Sequence, residues 1–180
     1  MPARAERDVS RRTLIAFAFV ALACFGCDQA SKEIARVHLE TVPQVSLLHG
    51  AVELRLVENR GAFLSMGAAL PEGVRTVAFQ VALPLLLLVF CGGLLGRASQ
   101  REAIGLALVV GGGAGNWIDR VLNDGAVTDF VQMGVGWLHT GIFNLADVAI
   151  VAGAAILLFE ANAAVGHSRR SASRPAGDDV

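Results

Sequence analysis

Four aspartates, Asp28, Asp119, Asp129 and Asp147, lie close to the ends of apolar segments of this 180-residue sequence. Asp147 lies inside such a segment, with uncharged residues on both sides. An ionisable side chain in an apolar span is costly, and the default inference is a functional role. Two carboxylates that share a pocket of low dielectric constant cannot both ionise easily. One of them retains a proton, and the pair can then act as base and acid on a single water molecule.

The spacing of neighbouring polar residues places them on the helix faces that carry these aspartates. Asp28 and Lys32 are four residues apart in "DQASK", so they share one helix face and can form an ion pair. In "GNWIDR", Asn116, Asp119 and Arg120 share a face for the same reason. The two stretches therefore predict polar clusters at the ends of two helices.

The stretch "FNLAD" places Asn144 one helical turn before Asp147. Asp147 has the strongest claim to a functional role because it lies within an apolar span. Spacing does not decide its partner, since Asp119 and Asp129 are equally suitable. Asp28 and Asp119 could instead be interfacial charges that fix helix depth, and the asparagines could form hydrogen bonds between helices.

Other chemistries have little support in the residues. The apolar segments contain no serine with a nearby histidine that could act as its base, and the histidines lack metal-ligand spacing. Cys24 and Cys27 form a CxxC without a second CxxC, so we interpret the cysteines as inert small residues. The net charge of −1, without a basic stripe, predicts no nucleic-acid partner. If the protein is a hydrolase, its catalytic groups are expected to be a pair of aspartates. We expect no metal and no organic cofactor.

The composition indicates a membrane protein, because 54% of the residues are hydrophobic and 17% are charged, against roughly 25% charged residues in a typical soluble domain. Four stretches approach the roughly 20 residues that a transmembrane helix needs. We predict four transmembrane helices, at about residues 13–31, 76–96, 103–121 and 140–160. Pro84 is expected to kink the second helix, and Gly111 and Gly115 have the GxxxG spacing of closely packed helices.

The arginines predict the orientation of these helices. With four spans, the N-terminal segment, the connection between the second and third spans and the C-terminal segment lie on one side. These segments carry Arg4, Arg7, Arg11, Arg12, Arg97, Arg101, Arg169, Arg170 and Arg174. The positive-inside rule makes that side cytoplasmic, so both termini are predicted to be cytoplasmic. The bias is modest, since the opposite side also carries basic residues.

The predicted fold class is mainly α and polytopic, with a small β element in the first outer segment, 33–75. There, "VSLLHGAVELRLV" alternates apolar and polar residues around His49-Gly50, which predicts a β-hairpin lying on the membrane. The second outer segment runs from residue 119 to about residue 141. We expect one integral-membrane domain, 1–160, followed by a polar, disordered cytoplasmic tail at 161–180.

Five motifs in this order resemble those of the lipoprotein signal peptidases (signal peptidase II), bacterial membrane aspartyl proteases that process prolipoproteins. They are "DQASK" (28–32), "NRGAFLSMG" (59–67), "GGGAGNWIDR" (111–120), "VTDF" (127–130) and "FNLADVAI" (143–150). The resemblance covers about residues 13–160, and the order of five motifs makes it specific.

The resemblance implies that Asp129 and Asp147 are the catalytic pair, because they lie in the family's V-x-D-F and F-N-x-A-D motifs. By the same analogy, the supporting polar residues of the site are Asp28, Lys32, Asn59, Asn116, Arg120 and Asn144. Asp119 then looks like a structural neighbour. Arg60 and Val148 depart from the family pattern, at the rim of the pocket and away from the pair.

The resemblance also implies the reaction and its location. The substrate would be a prolipoprotein whose cysteine already carries a diacylglyceryl group, and the cut would fall just before that cysteine. The site would lie at the outer leaflet of the bacterial cytoplasmic (inner) membrane, in contact with membrane lipid. No metal, organic cofactor or obligatory protein partner is expected.

Three other classes are alternatives. A transporter with proton-relaying carboxylates predicts carboxylates spread across the bilayer, whereas here they gather at one edge. A non-enzymatic assembly subunit predicts that Asp129→Asn and Asp147→Asn proteins behave like the parent. The first segment imitates an exported lipoprotein's signal, but the residues before Cys27 match a lipobox poorly and three further spans follow.

Overall fold

Long helices and one small sheet make up the part of the chain that the computed structural model describes, residues 9–61, 67 and 69–172, with side chains up to residue 164. In chain order the elements are α1 (Arg11–Leu39), β1 (Val45–Leu47), β2 (Val52–Asn59), α2 (Glu72–Thr76), α3 (Leu83–Leu95), α4 (Gln100–Leu122), β3 (Val127–Val135), β4 (Leu138–His139) and α5 (Leu145–Ala172). A π-helical turn, Val77–Ala82, joins α2 and α3 into one continuous helix. Residues 62–66 of the motif "NRGAFLSMG" lie outside the described residues.

Within the described residues, three helices are long and apolar enough to cross a membrane: Arg11–Leu39, Glu72–Leu95 and Leu145–Ala164. The predicted third span, α4, is not among them, because its glycines and its polar end "GNWIDR" reduce its apolar content. This helix lies between α1 and α5 and contacts both. A helix flanked by two neighbours has less surface to present to lipid, which explains its weaker apolar signal.

Glycines allow α4 to approach its neighbours closely. A Cβ atom on Gly111 would lie 2.6 Å from the carbonyl oxygen of Ala21 in α1, and a Cβ atom on Gly115 would overlap the carboxylate of Asp28. On another face of α4, Gly112 approaches α5 in the same way. The close packing predicted from the GxxxG spacing is confirmed.

A π-helical turn precedes Pro84, the residue at which a kink was predicted. Because proline has no amide hydrogen, the carbonyl of Gln80, four residues earlier, loses its usual helical partner. The indole Nε1 of Trp117 donates a hydrogen bond of 3.0 Å to this carbonyl. The proline thus frees an acceptor that ties the helix Glu72–Leu95 to α4.

The predicted hairpin is confirmed, and it is part of a larger sheet. Strand β1 pairs antiparallel with β2 across a turn in which His49 and Gly50 have positive φ angles of 58° and 88°. The sheet continues through β3 to β4, with strand order β1-β2-β3-β4 and antiparallel pairing throughout. The segment from residue 119 to about residue 141 therefore completes the sheet, and its pairing places Asn59 of β2 opposite Val127 of β3.

Two helices extend beyond their predicted ends. Helix α1 continues to Leu39 because Ala35 and Leu39 bury an apolar face beyond the predicted span. Helix α5 continues to Ala172, into the segment predicted to be a polar tail. Residues 173–180 of that segment lie outside the described residues.

Candidate active site

Two carboxylates, Asp129 and Asp147, meet at Asn144. Asp129 lies on β3, and Asp147 lies in the first turn of α5. The side-chain Nδ2 of Asn144 donates a hydrogen bond of 2.7 Å to Asp129 Oδ1, while its backbone N–H donates to Asp147 Oδ2 at 3.3 Å. One residue therefore fixes the positions of both carboxylates.

The start of α5 positions Asp147. Asn144 Oδ1 accepts a hydrogen bond of 3.0 Å from the backbone N–H of Asp147, and Asp147 Oδ2 returns the interaction to the backbone N–H of Asn144. This reciprocal pattern is a capping box with aspartate at its third helical position. Asp28 of α1 caps a further amide, because its Oδ1 accepts from Ala146 N at 2.9 Å. The carboxylates of Asp28 and Asp147 lie at the N-terminus of α5, where the helix dipole stabilises negative charge.

Each carboxylate of the pair also accepts a hydrogen bond from a second asparagine. Asn59 Nδ2 donates to Asp129 Oδ2 at 2.9 Å, and Asn116 Nδ2 donates to Asp147 Oδ1 at 2.9 Å. The Asn59 amide is itself oriented, because its Oδ1 accepts from Gly61 N at 2.9 Å. Both carboxylates are thus held at both oxygens by N–H donors.

Lys32 is fully buried, and its ammonium group has three oxygen partners. They are Asp28 Oδ2 at 2.7 Å, Asn116 Oδ1 at 3.0 Å and Asp119 Oδ2 at 3.1 Å. Three donors therefore meet three acceptors, and the predicted pair of Asp28 with Lys32 is confirmed. Because Lys32 occupies the Asn116 oxygen, the Asn116 amide nitrogen faces Asp147.

Asp119 contacts the backbone before Asp129. Its Oδ2 accepts a hydrogen bond of 3.0 Å from Thr128 N, and its Oδ1 accepts from Gln29 Nε2 at 3.2 Å. Arg36 Nη2 donates to the Thr128 hydroxyl at 2.7 Å. Spacing alone left Asp119 and Asp129 as equal partners for Asp147. The hydrogen bonds through Asn144 join Asp129 to Asp147, whereas Asp119 holds β3 at Thr128.

Arg120 bonds to main-chain carbonyl groups. Its Nη1 donates to Asn116 O at 2.9 Å and its Nη2 donates to Gly61 O at 2.7 Å. The guanidinium lies over the ring of Phe79, 5.5 Å from the ring centroid. Its buried Nε lacks a hydrogen-bond partner among the residues that the structure describes. Arg120 therefore connects α4 to the segment after β2.

All the residues predicted for the site are buried, with exposed fractions between 0% for Lys32 and 9% for Asp147. They are Asp28, Lys32, Asn59, Asn116, Arg120, Asp129, Asn144 and Asp147, and the hydrogen bonds above join them into one network. Sequence reasoning missed the contributions of Gln29, Arg36 and Thr128. Gln29 and Thr128 lie within the quoted motifs "DQASK" and "VTDF", so their position beside the aspartates was the available signal.

The electrostatics of the site favour a retained proton. Burial raises the pKa of Asp129 from 3.8 to about 6, and the charge of Asp147 adds to the increase. Hydrogen bonds from Asn59 and Asn144 and the charge of Lys32 oppose it. Four aspartates surround two buried cations, so negative charge is in excess. Within the described residues, no group of three or more His, Cys, Asp or Glu side chains is placed to hold a metal ion.

Comparison with known proteins assigns the sequence to a family. The family model described as signal peptidase (SPase) II matches residues 20–162, a range that contains all five motifs. The chain belongs to the signal peptidase II family. A lipoprotein signal peptidase of Xylella fastidiosa (strain M12) is 37% identical over 136 residues, which are 75% of this chain and 81% of that protein. One of Streptomyces griseus is 29% identical over 160 residues, 82% of this chain and 74% of the relative.

Two solved structures share the fold of this signal peptidase II family member. Both are described as bacterial membrane enzymes determined by the in meso method. One has a TM-score of 0.68 at 18% identity and covers 98% of this chain and 99% of its own. The other has a TM-score of 0.62 at 20% identity and covers 87% of this chain and 97% of its own. Membership of the family implies a protease that cleaves the signal peptides of prolipoproteins.

Proposed function

We propose that this protein is a membrane-embedded aspartyl endopeptidase in which Asp129 and Asp147 share one proton and activate one water molecule. Its substrate is a prolipoprotein that carries a diacylglyceryl group, and it cuts just before the lipidated cysteine. The observation that carries the proposal is that one residue, Asn144, donates hydrogen bonds to both buried carboxylates. Two such groups beside each other are suited to opposite protonation states.

One carboxyl group of the pair is protonated and the other is ionised. The ionised member removes a proton from water as the oxygen attacks the scissile carbonyl, and the protonated member protonates the carbonyl oxygen. When the tetrahedral intermediate collapses, the leaving amine takes the proton that the first carboxylate acquired. The oxygen of the intermediate returns its proton to the second carboxylate, which restores the starting state.

The other site residues position this pair. Asn59, Asn116 and Asn144 donate to the carboxylate oxygens and so fix the positions of both carboxyl groups. Lys32 and Asp28 act through Asn116 and through the first turn of α5. Arg120 holds the segment after β2 through the carbonyl of Gly61.

Residues 1–160 form one membrane domain with four spans, in which α4 is the third span. Both termini lie in the cytoplasm, and the site lies at the outer leaflet of the bacterial inner membrane. The arginine distribution supports this orientation. The position of α4 between α1 and α5, two helices apolar enough to span, supports its transmembrane placement.

The test of this function compares two forms of one precursor. Purified enzyme receives a diacylglyceryl-modified prolipoprotein or the same unlipidated chain, and mass spectrometry identifies the new N-terminus. We expect cleavage of the lipidated form alone, with the modified cysteine as the first residue of the product. Equal cleavage of the unlipidated chain would refute the substrate assignment, and a different N-terminus would refute the cut site.

A further inference from the structure

One face of the sheet is aliphatic along β3 from Val135 to Asp129 and across the paired residues of β1 and β2. Residues that lie directly opposite each other on paired strands point to the same face. The register gives one row of Val45, Leu54 and Val131 and a second row of Leu47, Val52 and Met133. Nearest the site, Val57 lies opposite Asp129. This set, continued by Val135 on β3, is called the aliphatic face below.

The opposite face of the sheet is polar in the rows away from the site, and Phe130 is an apolar residue on it nearer the site. Its corresponding row is Ser46, Glu53 and Gln132, each one residue away from a member of the aliphatic face. Because side chains alternate along a strand, Asp129 shares its face with Val131 and Met133 and not with Gln132. The candidate catalytic carboxylate therefore belongs to the aliphatic side of an amphipathic sheet.

The aliphatic face remains accessible. Leu47, Met133 and Val135 are exposed, the last of them at 81% of its surface. Val52, Leu54, Val57 and Val131 are half-buried. The aliphatic face is therefore a contiguous, partly exposed apolar surface, which is a candidate interaction site.

We propose that the aliphatic face binds the acyl chains of the substrate's diacylglyceryl group during cleavage. The inference rests on the proposed function and adds the part of the protein that recognises the lipid. The lipidated cysteine is directly next to the bond that is cut, so its hydrocarbon begins close to the carboxylates. The aliphatic face begins at the same place and continues along β3 from Asp129 to Val135, about 20 Å at about 3.3 Å per residue.

The chemistry of the face matches hydrocarbon more closely than peptide. Its members are aliphatic side chains and a methionine, which offer dispersion contacts and no hydrogen-bond donors. An extended polypeptide would leave its backbone N–H and C=O groups without partners on such a surface. Continuity with the site favours the chains attached to the substrate over the surrounding bilayer lipid.

The experiment uses synthetic lipopeptide substrates with long or short acyl chains and an unlipidated control. The test variant is Leu54→Thr with Met133→Thr, and the matched control is Glu53→Thr, which places the same residue on the polar face of β2. Threonine is β-branched, a shape that strands favour, so these substitutions do not lower the strand propensity. We expect the double variant to raise KM for the long-chain substrate about tenfold with little change in kcat, because apolar burial is lost. The preference for long over short chains should disappear, while Glu53→Thr should retain it.

Three outcomes would overturn the inference. An unchanged chain-length preference in the double variant would show that the face does not bind the acyl chains. An equal increase in KM for lipidated and unlipidated substrates would assign the face to peptide. A loss of activity in lipid nanodiscs but not in detergent would assign it to bilayer lipid. Failure of the parent enzyme to cleave any lipopeptide would instead refute the proposed function itself.

A second measurement leaves the aliphatic face intact. A lipopeptide with a photoactivatable diazirine near the start of one acyl chain is mixed with the Asp147→Asn protein, which retains the face. We expect crosslinks to Leu54, Val57 or Val131, and competition by excess unlabelled lipopeptide. Crosslinks confined to the helices would contradict the proposal even if the threonine variants failed to fold.

Discussion

Replacing Asp129 by asparagine removes a carboxylate that is costly to ionise in its buried position. The pKa of Asp129 is raised from 3.8 to about 6, chiefly by burial. A raised carboxyl pKa means that the folded state binds more protons than the unfolded state, so stability falls as the pH rises through this range. With these two pKa values, the raised pKa of Asp129 lowers the free energy of unfolding by about 3 kcal/mol at pH 7.5 and by about 1 kcal/mol at pH 4.5.

Asparagine does not ionise, so the stability of the variant lacks this contribution to the pH dependence. Relative to the parent, Asp129→Asn should therefore become more stable by about 2 kcal/mol between pH 4.5 and pH 7.5. For a chain of this size, that difference corresponds to an increase of about 4–8 °C in the relative Tm. Asparagine has only one acceptor oxygen for two donors, so the variant also loses a hydrogen bond. This loss shifts the Tm difference between the two proteins by a constant amount and does not change its dependence on pH.

The assay is thermal unfolding in detergent, followed by the fluorescence of Trp117 and Trp137, at a series of pH values. Asp124→Asn is the matched control, since it removes an exposed aspartate from the same region of the chain. We expect its Tm difference from the parent to change little with pH, because exposed charges interact weakly. A Tm difference for Asp129→Asn that stays constant from pH 4.5 to pH 7.5 would refute the reasoning about burial.

Three further substitutions test the packing and the supporting network. Asn144→Ala should lower stability by about 1–2 kcal/mol and kcat about 100-fold, whereas Asn144→Ser should recover the helix cap but not the activity, as measured by Tm and cleavage rate. Gly115→Ala should lower the Tm by a few degrees, because the added Cβ overlaps the carboxylate of Asp28, while Gly113→Ala meets only a flexible leucine end and should be milder. Lys32→Met leaves the buried carboxylate of Asp28 without a cation and removes the closer cation of Asp119, so it should cost about 3–5 kcal/mol, measured as a lowered Tm or as lost folded protein after purification.

Much of the helical fold could be predicted because its signals are local. Uncharged segments marked the helices, the GxxxG spacing indicated close packing, and alternation around His49-Gly50 predicted the hairpin. Strand β3 was missed because its partner β2 is far away in the sequence, whereas β4 pairs locally with β3 but is only two residues long, too short to show an alternating pattern. Strand β3 pairs with β2 some seventy residues earlier, for example Asp129 with Val57, and no local pattern encodes such a pairing.

The site was predictable as a set of residues but not as a geometry. Helical spacing correctly joined Asp28 to Lys32, yet it left Asp119 and Asp129 as equal candidates. The difference between them depends on a tertiary contact, because Asn144 reaches Asp129 across the gap between α5 and β3. The cap formed by Asn144 and Asp147 had a sequence signal, an asparagine three residues before an acidic residue at a helix start.

The most direct test of the central claim measures whether Asp129 and Asp147 act as one unit. Cleavage of lipidated prolipoprotein is followed for the parent, Asp129→Asn, Asp147→Asn and the double variant, each shown to be folded by its thermal transition. Residues that act together give strongly non-additive effects. We predict that each single variant loses essentially all activity and that the double variant loses no more. Substantial cleavage by either folded single variant, or losses that multiply in the double variant, would contradict the account.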